Sequence, residues 1–384
     1  MEGWRRAAVG LPPWCGAWPA GADAKRAVSD GTLYCNFGRA MNKQPVSVGV
    51  IANPSSGRDV RRLLSWASVF PTAEKVNVVL RLISAMGSLG IDEAWMIPDS
   101  AGISARVREA ASTAREKRGL PMPFVRLLDM RIQDDAQDSA RAAAQLVARG
   151  VKLIAVLGGD GTHRAVASGC ASVPLLALST GTNNAFPEMR EATTAGVAAA
   201  LVATGRVPEE IGLRTNKRLR VMGRNMDEFA LVDVCVSRQL ATGARAVWRG
   251  EDLVDLFTSF AEPGSIGLSS IAALAHPVSR EEPYGTHVRF GAGSTLLAPL
   301  LPGAMQKVCV ASVQRLVPNR SVSVGSLAGT IAIDGEREFE LGGNDGVRVE
   351  LDLRGPRTIV VARTLEHAAQ NRLLTGLNDL PVPS

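Results

Sequence analysis

From Val46 the chain alternates short apolar runs with longer amphipathic stretches. Val46–Ala52, Glu93–Ile97, Pro123–Met130, Val151–Leu157 and Pro174–Ser179 read as strands. Between them, Arg58–Phe70, Ala73–Leu89, Ile103–Lys117, Asp135–Ala148 and Glu188–Thr204 read as helices, with apolar residues at helical spacing in VNVVLRLISAM. The run Val151–Leu157 contains one charge and no polar alternation, as expected of a strand buried on both faces of a parallel sheet. Strands that alternate with helices imply βαβ units. After about Arg206 the pattern changes. RLRVM, FALVDVCVS, HVRFGAG, QKVCVASV, GTIAIDG, VRVELDL and RTIVVAR carry β-branched alternation and are separated by Gly, Pro and Asn. A β-rich second domain is expected there, with one helix inside it over Arg245–Phe260. The tail after Thr364 starts helically and ends in Pro-containing coil.

This pattern divides the chain into residues 41–206 as an α/β domain and 207–366 as a β-rich domain, with 367–384 as a tail. Residues 1–40 carry Pro12, Pro13, Trp14 and Trp18 without a period. They read as a disordered tail or as sequence upstream of a natural start at Met41. Arg5 and Arg6 precede a short apolar stretch, but Pro12 and Pro13 break the apolar core that a signal peptide needs.

Composition narrows the function classes. At 384 residues the chain has room for two domains. No apolar run is long enough to span a bilayer, so membrane insertion is not expected. The net charge of +6 comes from scattered basic residues without interleaved aromatics, which make up only 4%. A nucleic-acid surface is therefore not indicated, whereas an anionic small-molecule ligand suits the charge. The five cysteines form no CxxC pair, which points to buried thiols in a reducing, cytoplasmic setting. The four histidines lack metal-ligand spacing.

The chemistry concentrates in loops that follow strands. Gly158-Gly159-Asp160-Gly161-Thr162 directly follows the run Val151–Leu157, and THRAVASGC, with Thr162 as its cap, reads as the next helix. A strand, a glycine turn and a helix N-terminus form an anion site, because free N–H groups and the helix dipole favour phosphate. Asp160 stands out, since a carboxylate among phosphate-binding amides calls for a metal ion or a substrate hydroxyl beside it. An ordinary βα turn carrying an Asp is the other reading. Val46–Ala52 runs into Asn53–Gly57 (NPSSG), and Pro174–Ser179 runs into Gly181–Asn184 (GTNN). Three such loops would gather at the carboxyl edge of one sheet, where open α/β folds bind ligands. Farther on, Asp334-Gly335-Glu336 lies between alternating runs, and there Asp-Gly signals a hairpin turn. His163 reads as a helix-surface residue, Arg58, Arg61 and Arg62 as a solvated face, and Trp248 as core.

NPSSG, GGDGT, GTNN and DGE occur in this order, and with them the chain resembles the superfamily of NAD kinases, diacylglycerol kinases and sphingosine kinases. IANPSSGRDVRRL, LGGDGTHRAVA, STGTNNAFP, and LVDVCVS with GARAVW are similar to the ATP-NAD kinase-like group of acetoin catabolism protein X. The resemblance spans nearly all of the chain from Val46. It implies an α/β nucleotide-binding domain followed by a β-sandwich, with the active site in the cleft between them. It also implies ATP and Mg²⁺ as cofactors and a small hydroxyl-bearing molecule as acceptor. Under it, Gly158, Gly159, Gly161 and Thr162 cradle phosphates. Asn53, Ser55 and Gly57 form a second wall near the nucleotide, and Gly181, Thr182, Asn183 and Asn184 add contacts to phosphate or ribose. Asp160 faces Mg²⁺ or the acceptor hydroxyl. Asp334 becomes a candidate general base with Glu336 beside it, and the hairpin-turn reading stays open alongside. The chain has no GxxxxGK[ST], so it is not a P-loop enzyme. Two departures stand out: Asn183 replaces the glycine of the lipid kinases' GTGN, and FALVDVCVS lacks the Asn-Glu pair that holds NAD in NAD kinases. The second departure speaks against NAD as the acceptor. The resulting expectation is a kinase acting on an alcohol group, with a non-catalytic nucleotide sensor or a lipid kinase as alternatives. Homo-oligomerisation is compatible with either.

Overall fold

The computed structural model describes residues 44–56, 70–181, 184–224, 226–239, 250–325, 328–343 and 345–375, plus a small hairpin of β1 (Val28–Ser29) with β2 (Thr32–Leu33). The helix expected over Arg58–Phe70 lies outside these residues but for its last position, and Arg58, Arg61, Arg62 and Trp248 also lie outside them.

The first layer system is built on β3 (Ser47–Ala52), β4 (Glu93–Met96), β5 (Phe124–Leu127), β6 (Ile154–Gly158) and β7 (Leu175–Ser179), all pairing in parallel. The runs are apolar because both faces are covered. Val48, Val50, Leu153, Ala155 and Leu157 face a core shared with α1 (Thr72–Ser88), α2 (Ile103–Arg118) and α5 (Ala192–Ala203). Ile51, Ile154 and Val156 face the opposite core, shared with α3 (Ala136–Ala148) and α4 (Asp160–Gly169). Gly49 permits that second packing, since a Cβ there would stand 2.6 Å from Leu146. The helix α3 begins where its chemistry dictates: Asp135 caps the Asp138 amide, and Asp138 returns a bond to the Asp135 amide.

After the short α6 (Glu209–Gly212), β8 (Leu213–Thr215) leads into the second system. Here β9 (Arg218–Gly223), β10 (Met226–Ala230), β15 (Val322–Ser323) and β18 (Arg348–Asp352) form a four-stranded antiparallel sheet. It packs on a six-stranded one made of β11 (Asp233–Ser237), β12 (Leu253–Thr258), β13 (Gly285–Leu301), β14 (Ala304–Leu316), β16 (Ala328–Ile333) and β17 (Glu336–Gly342). Leu219, Val221, Val234, Val236, Phe257, Ile331, Ile333 and Val349 fill the space between them. The outer face of the larger sheet is covered by α7 (Leu268–Ala275), through Leu268 and Ile271. The strand-rich texture is thus a two-sheet sandwich.

The chain then returns. β19 (Arg357–Ile359) pairs in parallel with β7 and antiparallel with β8, which extends the first sheet to the order β5-β4-β3-β6-β7-β19-β8. α8 (Val361–Gln370) packs Ala368 into the first core.

Two expectations are corrected here. The helix expected inside Arg245–Phe260 is instead the strand β12, preceded by a short 3-10 turn over Gly250–Asp252, while residues 240–249 lie outside the described set. Asp255 in this strand points into the protein, with His287 Nε2 2.7 Å from its Oδ1. The buried His–Asp pair joins β12 to β13 and gives the buried carboxylate a partner. The thiols also differ from expectation: Cys170 and Cys235 are buried, but Cys309 is exposed.

Candidate active site at the cleft between the two sheets

β3, β6 and β7 are adjacent and parallel, so the loops after them meet at one sheet edge. The loop after β3 is a tight turn whose carbonyls point inward. Lys75 from α1, 1% exposed, donates to Asn53 O at 2.8 Å, Pro54 O at 2.9 Å and Ser56 O at 2.7 Å. Burying that ammonium is tolerable only because three acceptors replace water. The Ser55 amide is turned onto Asn53 Oδ1 at 2.8 Å. The Asn53 side chain crosses to the neighbouring loop and donates to Thr162 Oγ1 at 2.8 Å. Lys75 was missed in the sequence because nothing in its helix distinguishes it from a solvated lysine.

The loop after β6 passes directly into α4. Gly159, not Thr162, is the N-cap, and it supplies no side-chain cap. Thr162 lies within the first turn, where a Cβ on Gly158 would stand 2.6 Å from its own. The backbone N–H groups of Asp160, Gly161 and Thr162 occupy the first turn, whose donors have no partner inside a helix. Gly161 has open space beside its Cα. An uncapped helix start fits a phosphate group.

The loop after β7 closes against the other two. Ser179 Oγ donates to Gly181 O at 2.8 Å, and Asn184 Nδ2 donates to Ser179 Oγ at 2.8 Å. Thr180 Oγ1 donates to Ser56 Oγ at 2.8 Å. Asn184 also stands over the glycine turn, with its Oδ1 2.8 Å from where a Cβ on Gly159 would be. Gly57, Thr182 and Asn183 lie outside the described residues.

Asp160 is held from this last loop. Its carboxylate accepts the Ala185 amide at 3.0 Å and the Phe186 amide at 2.8 Å. Burial and the nearby Asp334 push its pKa up to about 7, against the lowering effect of those two amides. His163, expected at the surface, is instead fully buried, with Nδ1 2.8 Å from Gly159 O and its ring 5.8 Å from that of Phe186. Burial brings its pKa down to about 4, which makes it a neutral packing residue rather than a phosphate contact.

Asp334 arrives from the sandwich. It occupies the hairpin turn between β16 and β17, with φ of 51° there and 80° at Gly335. Positive φ at both central positions is what the Asp-Gly pair accommodates. The hairpin-turn reading of Asp-Gly thus describes the backbone here. The Asp334 side chain is wholly buried, accepting the amides of Leu231 at 3.0 Å and Val232 at 2.8 Å, and Arg164 Nε lies 3.5 Å away. Burial raises its pKa, which Arg164 and the amides oppose. Glu336 opens β17 next to it, with its side chain outside the described set.

Asp160 and Asp334 line one cleft together with Asp233, Ala185, Gly335, Ile266, Gly267, Leu268, Ser269 and Leu300. Two carboxylates 174 positions apart in sequence, one from each half of the molecule, thus share a pocket. Among the described residues no group of three or more His, Cys, Asp and Glu side chains could hold a metal by itself. A Mg²⁺ ion suits this site only as one shared between one or two carboxylates and nucleotide phosphates, which is how Mg²⁺ is usually bound.

Comparisons with known proteins agree with the two halves. Residues 48–207 match the model of the ATP-NAD kinase N-terminal domain, and residues 217–354 match that of the acetoin catabolism protein X C-terminal domain. The chain is 44% identical over 340 residues to the acetoin catabolism protein X of Cupriavidus necator (strain H16), covering 86% of this chain and 94% of that protein. Among solved structures, a yeast NADH kinase complexed with NADH is similar at a TM-score of 0.48 and 13% identity, over 94% of this chain and 96% of the other. An NAD kinase from Archaeoglobus fulgidus in complex with ATP is similar at 0.37 and 14% identity, over 74% of this chain and 100% of the other. At those scores neither structure carries an argument about ligands.

Proposed function

The chain belongs to the NAD kinase-like family of acetoin catabolism protein X, and from that premise we propose that it is an ATP-dependent phosphotransferase acting on a hydroxyl group. The observation that carries the reading is the meeting of Asp160 and Asp334 in one cleft beside an uncapped helix start.

Phosphoryl transfer needs positioning and charge stabilisation more than covalent help. In this reading the amides of Asp160, Gly161 and Thr162 hold the donor's phosphates, and the wall of Asn53, Ser55 and Asn184 fixes the nucleotide. Mg²⁺, when bound with ATP, supplies charge neutralisation. Asp160, the side chain nearest the cradle, orients the metal or the acceptor hydroxyl. Asp334 takes the hydroxyl proton, and its raised pKa suits a group that must hold a proton after transfer. The acceptor is a small hydroxylated molecule with an uncharged reacting end, because the cleft offers carboxylates and the apolar side chains of Ile266, Leu268 and Leu300. The relative's name links that protein to acetoin catabolism, so hydroxyketones and diols of that kind head the list of acceptors.

A second reading has an observation of its own. The Asp334 side chain is wholly buried and already accepts the amides of Leu231 and Val232, an arrangement that also serves a purely structural turn. A nucleotide sensor without turnover would keep the cradle and not need a base. One experiment separates them: purified protein with ATP, Mg²⁺ and a panel holding NAD, a diacylglycerol, a sphingoid base, acetoin and short diols. Phosphorylation of one acceptor, lost in Asp160→Asn, supports the kinase. Nucleotide binding without transfer to any acceptor supports the sensor.

A further inference from the structure

Asp160 is fastened through two amides, and those two peptides are fastened in turn from the other half of the molecule. Arg280 lies in the connection between α7 and β13 and is 7% exposed. Its Nη1 donates to Phe186 O at 2.9 Å and its Nη2 to Ala185 O at 2.5 Å. Ala185 and Phe186 are the residues whose N–H groups bind Asp160. Each of them therefore has its carbonyl on a guanidinium and its amide on a carboxylate. Such chains of hydrogen bonds polarise one another in a low-dielectric interior.

Arg280 is itself fixed from several sides. Its Nε lies 3.2 Å from Glu262 Oε2, and its guanidinium stands 4.1 Å over the Phe260 ring. The backbone next to it is pinned by Lys217, whose Nζ donates to Ser279 O at 2.9 Å and Tyr284 O at 2.8 Å. Lys217 lies between β8 of the first sheet and β9 of the sandwich. The planar guanidinium meets the two carbonyls and Glu262 with three separate nitrogens at once, which a single ammonium cannot do.

We propose that Arg280 is a positioning residue that sets the orientation of Asp160 across the cleft, so that the catalytic geometry of the first half exists only when the second half is docked on it. The proposal rests on the reading of Asp160 given above. It does not make Arg280 a ligand of substrate: its nitrogens are engaged by the loop and by Glu262.

The test uses full-length Arg280→Met and Arg280→Lys, alone and combined with Asp160→Asn. The first readout is amide hydrogen exchange in the ligand-free protein, which needs no substrate. Arg280→Met is expected to speed exchange at Ala185 and Phe186 about tenfold or more, with β6 and β12 unchanged. Arg280→Lys is expected to restore only part of the protection, since an ammonium that reaches the two carbonyls has no second nitrogen to hold Glu262 at the same time. The second readout is turnover with ATP, Mg²⁺ and the best acceptor found. A fall in kcat on the order of 10²-fold with little change in the KM for ATP is expected. In the Asp160→Asn background Arg280→Met is expected to add no further loss. Unchanged exchange at Ala185 and Phe186 would overturn the proposal, and so would losses that simply add to those of Asp160→Asn. If Arg280→Met does not fold, Arg280→Lys decides on both readouts. If the wild type shows no turnover, the kinase reading fails, and exchange alone decides whether Arg280 orders the Asp160 loop.

Discussion

At the scale of single residues, the chemistry turns on what holds a charge in place. Asp160→Asn keeps the side-chain size and one acceptor oxygen but removes the charge. Turnover is expected to fall by a factor on the order of 10² or more in a protein that still melts cooperatively, because loss of a positioned catalytic group usually costs that much. Thermal melting followed by a rate measurement on the same preparation checks it. Wild-type turnover would return the glycine loop to a structural role. Asp160 also gives stability a pH dependence. Its pKa rises from 3.8 to about 7, so the folded state holds a proton that the unfolded chain has released. That contribution is complete below about pH 4 and is lost as pH rises to about 7. The melting temperature of the wild type relative to Asp160→Asn is therefore expected to fall across that window. A constant difference between pH 4 and pH 8 would show that the carboxylate titrates normally.

At the scale of elements, the three glycines of the loop after β6 separate fold from function. A Cβ at Gly158 would stand 2.6 Å from the Thr162 Cβ, inside the first turn of the next helix, and neither group can withdraw without shifting the backbone. Gly158→Ala is expected to destabilise the protein by about 1–3 kcal/mol, the usual range for overpacking. Gly161 has no atom within 4 Å of the corresponding position, and it sits in a helix, where Ala is the better former. Gly161→Ala should leave the urea midpoint unchanged or raised while weakening ATP binding measured by calorimetry. A loss of stability without a loss of affinity would place the phosphates elsewhere. The loops themselves were legible in the sequence, because each follows a short apolar run of strand length. The start of α4 was not: Thr162 is a good cap, but its hydroxyl is taken by Asn53, whose neighbour in space is 109 positions away in sequence. β12, within the stretch expected as a helix, is likewise fixed from afar, since its Asp255 is buried only because His287 from β13 lies beside it. Lys75 and Arg280 carried no local signal, because each acts through backbone carbonyls of another segment. Asp334 was legible as a turn and, through the resemblance, as a candidate base. That the turn lies against Asp160 emerged only from the way the sandwich docks.

At the scale of the whole molecule, the cleft sets which acceptor can enter. Its described lining holds the carboxylates of Asp160, Asp233 and Asp334, the apolar side chains of Ile266, Leu268 and Leu300, and no Lys or Arg side chain. A dinucleotide acceptor would add two further phosphate charges to an acidic lining that already faces the donor's phosphates, at a cost in repulsion. An uncharged hydroxyl compound avoids that cost and finds apolar surface to cover. NAD is therefore expected to be phosphorylated slowly or not at all, whereas an acceptor without phosphate groups is expected to turn over faster under the same ATP and Mg²⁺. Salt provides the internal control. Raising the ionic strength screens exposed charges, so any residual NAD activity should increase with salt, while turnover of a neutral acceptor should change little. The measurement is a paired initial-rate series with NAD and with the best neutral acceptor from the panel, at low and high salt. NADP formation that is faster than transfer to every neutral acceptor, and that falls as salt rises, would mean that cationic groups outside the described lining receive the dinucleotide.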